Sequence, residues 1–197
     1  METIVFVRHA ESAFGVEHRL NGDPAVPNSL TPRGEEQARE LGALLRDVPV
    51  DLCVTSELAR ARETADLALE GRDVPRLVLV DLNEISFGKW EGEVYEEYGG
   101  WAWTHGPVEA CPGGGESRVD ALRRYVRGYR TVLARPERTV LVVGHGLAIR
   151  YVLNALRGRD PKPLLEQVPL AEPQRVAAAE VAAAVDRLDA WLQDPSW

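Results

Sequence analysis

Five side chains carry the chemistry that this sequence can do: Arg8, His9, Arg60, Glu84 and His145. His9 ends the apolar run Thr3-Ile4-Val5-Phe6-Val7, and His145 ends the run from Thr139 to Val143. Glu84 follows Leu77 to Val80, and Arg60 lies just beyond Ser56, which follows Val50 to Val54. An arginine beside a histidine suits a phosphate dianion, because the guanidinium grips two oxygens while an imidazole nitrogen faces the phosphorus. Two histidines, two arginines and one carboxylate without a metal motif fit phosphoryl transfer through a histidine. His9 is the candidate nucleophile, which requires a neutral nitrogen oriented by a hydrogen bond on the other one. Arg8, Arg60 and a protonated His145 would stabilise the equatorial oxygens, helped by the amides of the helix that starts after Gly146. Glu84 would protonate the leaving alkoxide and then help activate water.

The elements that must bring these groups together follow one pattern. Each apolar, β-branched run reads as a buried strand, and each is followed by a helix. Thr31-Pro32 opens one helix as N-cap and first residue, Ser56 caps Glu57 to Leu69, Ser117 starts another, and a further helix runs through Leu156. Strand and helix in alternation predict an α/β fold with a mostly parallel sheet covered on both faces. The strand carboxyl ends then lie along one edge, where open α/β sheets bind ligands, so His9, Ser56, Glu84 and His145 converge. The loop from 10 to 30 is long enough to serve a site. Residues 85–116 read as irregular, and 173–194 as an Ala-rich helix with the stripe Val181, Val185, Leu188 and Leu192. That stripe packs on its own domain or, alternatively, forms a homodimer contact.

Composition bounds the partners. At 197 residues, with 45% hydrophobic and 27% charged side chains, the chain fits one soluble domain. A formal charge of −8 opposes binding to nucleic acid or to an anionic membrane. No run approaches the roughly 18 apolar residues of a membrane span, and the chain enters a strand at once, so a cytoplasmic location is expected. Cys53 and Cys111 are expected as free thiols, and neither has a partner at metal-ligand spacing.

These residues also fall into motifs. Arg8-His9-Ala10-Glu11-Ser12, Leu30-Thr31 with Gly34 and Gln37-Ala38, and Ser56-Glu57-Leu58-Ala59-Arg60-Ala61 with Thr64-Ala65 come first. Leu82-Asn83-Glu84 with Gly88 and Trp90-Glu91-Gly92, Pro112 to Ser117, and Val143-Gly144-His145-Gly146 follow. In this order, over residues 3–157, they resemble the histidine phosphatase superfamily, phosphoglycerate mutase-like branch. The resemblance implies a three-layer α/β/α sandwich and a single domain over 1–197. It implies His9 as the phosphorylated nucleophile, Arg8, Arg60 and His145 as the phosphate pocket, Glu84 as proton donor, and Asn21 and Gly22 touching the phosphate. It implies neither metal nor cofactor. Three positions depart from the family pattern: Ala10 stands where glycine is usual, Gly15 where many members carry asparagine, and the C-terminal helix where a last strand is usual.

The segment 85–116 reads as a lid-like insertion, with Trp101, Trp103 and His105 as a candidate substrate wall. Between Lys89 and Arg118 it holds no cation but six glutamates: Glu91, Glu93, Glu96, Glu97, Glu109 and Glu116. That composition disfavours a bisphosphoglycerate and suits a monoester with a neutral or cationic leaving part. The expected activity is therefore a metal-independent phosphomonoesterase acting on a small phosphorylated metabolite. A cofactor-dependent phosphoglycerate mutase and a non-catalytic phosphate-binding module are the alternatives.

Overall fold

The computed structural model describes residues 1–163 and 166–197. Five strands, β1 (Thr3–Arg8), β2 (Leu52–Thr55), β3 (Arg76–Val78), β4 (Thr139–Gly144) and β5 (Gln174–Ala177), form one sheet in the order β3-β2-β4-β1-β5. The first four are parallel, and β5 runs antiparallel to β1 with Ile4 opposite Val176. Alternation along the central strands sorts their side chains to two faces. Val5, Val7, Cys53, Leu141 and Val143 meet α2 (Pro32–Leu44) and α3 (Ala59–Ala68) through Ala38, Leu41, Ala61 and Ala65. Ile4, Phe6, Val54, Val140 and Val142 face the other layer, built from α5 (Arg118–Leu133), α6 (Gly146–Ala155) and α7 (Ala178–Trp191). The result is the three-layer α/β/α sandwich that the alternation predicts.

Local signals explain the helix starts. Thr31 Oγ1 accepts from the Gly34 amide at 3.0 Å, with Pro32 at the first position of α2. A Cβ on Gly34 would fall 2.0 Å from the Glu11 carbonyl oxygen, so only glycine lets α2 dock on the chain leaving β1. Ser117 and Asp120 cap α5 reciprocally.

Four expectations are corrected. Residues 173–194 are not wholly helical: Gln174–Ala177 is an edge strand before α7 begins. The stripe Val181, Val185, Leu188 and Leu192 is buried inside the chain, where α7 packs on α5 and α6, in agreement with packing on its own domain. Residues 85–116 are not all irregular, since a 3-10 turn (Gly88–Trp90) precedes α4 (Tyr95–Thr104). The loop after β1 contains the single turn α1 (Ala13–Val16). Finally, α3 starts at Ala59 without a side-chain cap, and Ser56 is used elsewhere. Among the described residues no helix is long and apolar enough to cross a membrane.

Candidate active site

The ladder between β1 and β4 sets Arg8 opposite Gly144, and the His9 amide donates to the Gly144 carbonyl at 2.9 Å. Both strands therefore end at one level, which brings the His9 and His145 rings to 5.3 Å between centroids. His9 Nδ1 lies 2.7 Å from the Ala10 carbonyl oxygen. A carbonyl can only accept, so Nδ1 carries the proton and Nε2 keeps its lone pair. Arg60 Nε donates to that Nε2 at 3.1 Å. Burial, reinforced by the Arg60 and Arg8 charges, holds His9 well below the ordinary histidine pKa. A neutral imidazole with its lone pair on Nε2 is what a nucleophilic histidine needs, and attack here requires that Arg60 Nε give up its hydrogen bond to that lone pair.

Arg60 is buried among neutral partners. Its Nη1 donates to Asn21 Oδ1 at 2.6 Å and its Nη2 to the Asn21 carbonyl at 2.9 Å. Burial pushes its pKa down to about 10, which leaves it charged at neutral pH. Thr64 ties α3 to the turn after His9, donating to the Arg60 carbonyl at 2.6 Å and accepting from the Ala10 amide at 2.9 Å. On the other flank Arg8 Nη1 donates to Gln167 Oε1 at 2.8 Å and to the Val168 carbonyl at 2.9 Å. Arg8 Nε is buried and has no partner among the described residues. An unsatisfied buried donor on a cation is costly unless a ligand takes it, which marks where an anion fits.

His145 is fully buried, with Nε2 at 2.7 Å from Ser56 Oγ and Nδ1 at 3.4 Å from Arg60 Nη2. Burial first, and Arg60 second, hold its pKa well below the ordinary value. The expected protonated His145 is thus neutral in the ligand-free site.

Glu84 lines the same cavity and is steadied through its backbone. Arg124 of α5 donates to the carbonyls of Asp81, Asn83 and Glu84 at 3.1, 2.8 and 3.2 Å, and pairs with Glu116 at 2.7 Å. Asn83 bridges to Glu57, accepting from its amide at 2.9 Å and donating to its carboxylate at 2.8 Å. The sequence reading gave Arg124, Asn83, Ser56 and Thr64 no such roles. Ser56, Asn83 and Thr64 stand inside quoted motifs, whereas nothing local distinguishes Arg124.

These groups surround a cavity of about 300 Å³, the size of a small-ligand site. Arg8, His9, Asn21, Arg60, Glu84 and Gly146 line it, as does Gly15. His145 lies directly behind, in contact with Arg60 and the His9 ring. Four other expected contacts fall outside the lining. Gly22 donates to Glu91 Oε2 at 2.8 Å, and a Cβ there would meet the Ile85 carbonyl oxygen at 2.0 Å, so it seals a loop junction. Trp101 packs on Trp90 and stacks on His105 at 4.6 Å, while Trp103 faces solvent. The cavity wall comes instead from the first turn of α4, Tyr95, Glu96 and Tyr98, together with Leu20, Ile85 and Phe87. The acidic lid is corrected too, because of its six glutamates only Glu96 lines the cavity. Glu91, Glu109 and Glu116 accept from backbone amides of Gly22, Gly106 and Ser86. Among the described residues no cluster of three His, Cys, Asp or Glu could hold a metal ion.

Comparison with known proteins agrees with this geometry. The chain is 39% identical over 150 residues to an adenosylcobalamin/alpha-ribazole phosphatase of Salmonella typhimurium, covering 71% of each chain. It is 35% identical over 175 residues to a 2,3-bisphosphoglycerate-dependent phosphoglycerate mutase 2 of Gloeobacter violaceus, covering 82% of this chain and 78% of that one. The crystal structure of a putative alpha-ribazole-5'-P phosphatase from Escherichia coli superposes with a TM-score of 0.76 at 29% identity, covering 89% of each chain. A family model matches residues 4–191, and with the paired histidines and their arginines in place the chain belongs to the histidine phosphatase superfamily, branch 1.

Proposed function

We propose that His9 Nε2 attacks the phosphorus of a small phosphomonoester while Arg8 and Arg60 hold its oxygens. The P–N bond forms as the bond to the leaving alcohol breaks, and Glu84 gives its proton to the departing oxygen. Water then attacks the phosphohistidine, Glu84 takes its proton, the P–N bond breaks, and inorganic phosphate leaves. A phosphomonoesterase with a histidine mechanism is the activity that the family and its phosphatase relatives support. The observation that carries the residue assignment is the His9 arrangement: Nδ1 fixed by the Ala10 carbonyl and Nε2 aimed, neutral, into an arginine-lined cavity.

Other features support the wider reading. One sheet with both faces covered supports a single domain over 1–197. Cys53 and Cys111 are free and buried, and burial pushes their thiols up to about 12 and about 11. Unpaired cysteines fit a cytoplasmic location. The formal charge of −8 supports a small-molecule partner over nucleic acid. Phosphate release from a panel of monoesters tests the reading, together with acid-quenched mass spectrometry for a phosphorylated His9. Turnover that resists EDTA and vanishes in His9→Ala is the expected result. Wild-type enzyme inactive on the whole panel, or active without a phosphohistidine, would overturn it.

A further inference from the structure

Five arginines line the cavity, and they are not equivalent. Arg8 and Arg60 flank His9. Arg19 pairs with Glu17 at 3.1 Å, and Arg150 has Glu166 at 3.6 Å. Arg118 is different: its Nε donates to the Tyr98 phenol at 2.9 Å and its Nη1 to the Tyr151 phenol at 3.4 Å. Among the described residues it has no carboxylate within ion-pairing distance, although Glu96 lines the same cavity. Two neutral phenols fix the guanidinium in place without cancelling its charge.

Its backbone position adds to the imbalance. Arg118 is the first residue of the 16-residue helix α5, where the positive end of the helix dipole favours an anion over a cation. Sequence-local electrostatics therefore work against an arginine here. A partly buried cation without a counter-charge is destabilising unless something anionic arrives to pair with it. In this cavity the arriving species is the substrate.

We propose that Arg118 is a specificity-determining residue that binds a second anionic group, a carboxylate or a further phosphate, on the leaving part of the phosphomonoester. This rests on the phosphatase reading and replaces the expectation of a neutral or cationic leaving part. Tyr98 and Tyr151 hold the guanidinium, and Arg8 with Arg60 takes the scissile phosphate. The two charges of the substrate are thus separated along one cavity, and a substrate lacking the second leaves Arg118 unpaired.

Two matched pairs test it, each assayed for phosphate release with wild type, Arg118→Gln and Arg118→Lys. The carboxylate arm compares 3-phosphoglycerate with glycerol 3-phosphate, and the phosphate arm compares fructose 1,6-bisphosphate with fructose 6-phosphate. In at least one pair wild type should prefer the more anionic member, and the pair that does so identifies the group. Arg118→Gln should cut that preference by roughly 10- to 100-fold, and Arg118→Lys should retain most of it. No preference in either pair, or a loss in Arg118→Gln equal for both members, overturns the proposal. Activity on neutral monoesters would then leave the phosphatase reading standing, whereas wild type inactive on every ester, p-nitrophenyl phosphate included, brings both down.

Discussion

The two ends of the cavity are built in different ways. The end proposed to hold the phosphate rests on backbone: parallel ladders align the ends of β1 and β4, and the start of α3 delivers Arg60. The end proposed for the leaving group is lined by side chains from α4 and from the first residue of α5. Ladder hydrogen bonds fix positions almost irrespective of side-chain identity, whereas packed side chains can be exchanged one at a time. This gives a physical reason for one family to hold relatives named for different substrates around a common phosphate site.

That contrast can be broken by experiments that act on one end alone. The largest effect should come from Glu84→Gln, assayed on leaving groups of different basicity. For an alkyl phosphate kcat should fall about 10²- to 10⁴-fold, and much less for p-nitrophenyl phosphate, whose leaving phenolate needs no proton. Equal losses on both would remove the proton-donor role. Arg124→Ala acts on the same acid from behind, through the carbonyls of residues 81, 83 and 84. Its kcat should drop by about 10- to 100-fold while vanadate inhibition changes little, because the phosphate end is untouched. Weakened vanadate binding of the same size would show that the two ends are not separable.

A third test concerns protonation. Both histidines have native pKa values below the unfolded value of 6.5, so the unfolded chain takes up protons first as pH falls. Their contribution to stability is complete above pH 6.5 and is lost as pH falls from there toward the native values, which thermal melts across that window would register. In Arg60→Gln, NMR titration should show both histidines rising toward the ordinary value, since Arg60 is the leading charge on each. Unshifted resonances would mean that burial alone sets them. The smallest effect is expected at Trp103: Trp103→Ala should alter kcat/KM by no more than about twofold. Trp101→Ala should instead lower stability by about 1–3 kcal/mol, read from denaturant midpoints, because Trp101 packs against Trp90, Tyr98 and His105.

Legibility in the sequence follows the same division. Arg8, His9 and His145 are readable because strand ends share one edge in a parallel sheet, so placing the strands places the residues, whereas Glu84 lies six residues beyond β3, after a 3-10 turn at Val80–Leu82, and is readable through its motif. Arg60 is readable through its motif. The segment α4 is not, because Gly99-Gly100 in its middle lowers helix propensity, and only the fold shows Gly99 pressed under the Tyr95 ring. Nor is β5, a four-residue edge strand running directly into an alanine-rich helix. Ser56 has the residue type of a helix cap. Its contact with His145, 89 positions away, is visible only once β2 and β4 are paired. The glutamates of 85–116 misled for a related reason: composition counts charges, and structure decides which ones are already engaged by amides.

One consequence lies in the strand that carries His9. On one side β1 pairs with residues 139–144, and on the other with 174–177. Because synthesis runs from the N- to the C-terminus, β1 thus has no neighbour in the sheet until residues 139–144 have also been made. During that interval it is an apolar segment with both edges open, the kind of segment that chaperones bind and that misassembles when they do not. The histidine proposed as nucleophile is therefore made well before the strands that complete its setting.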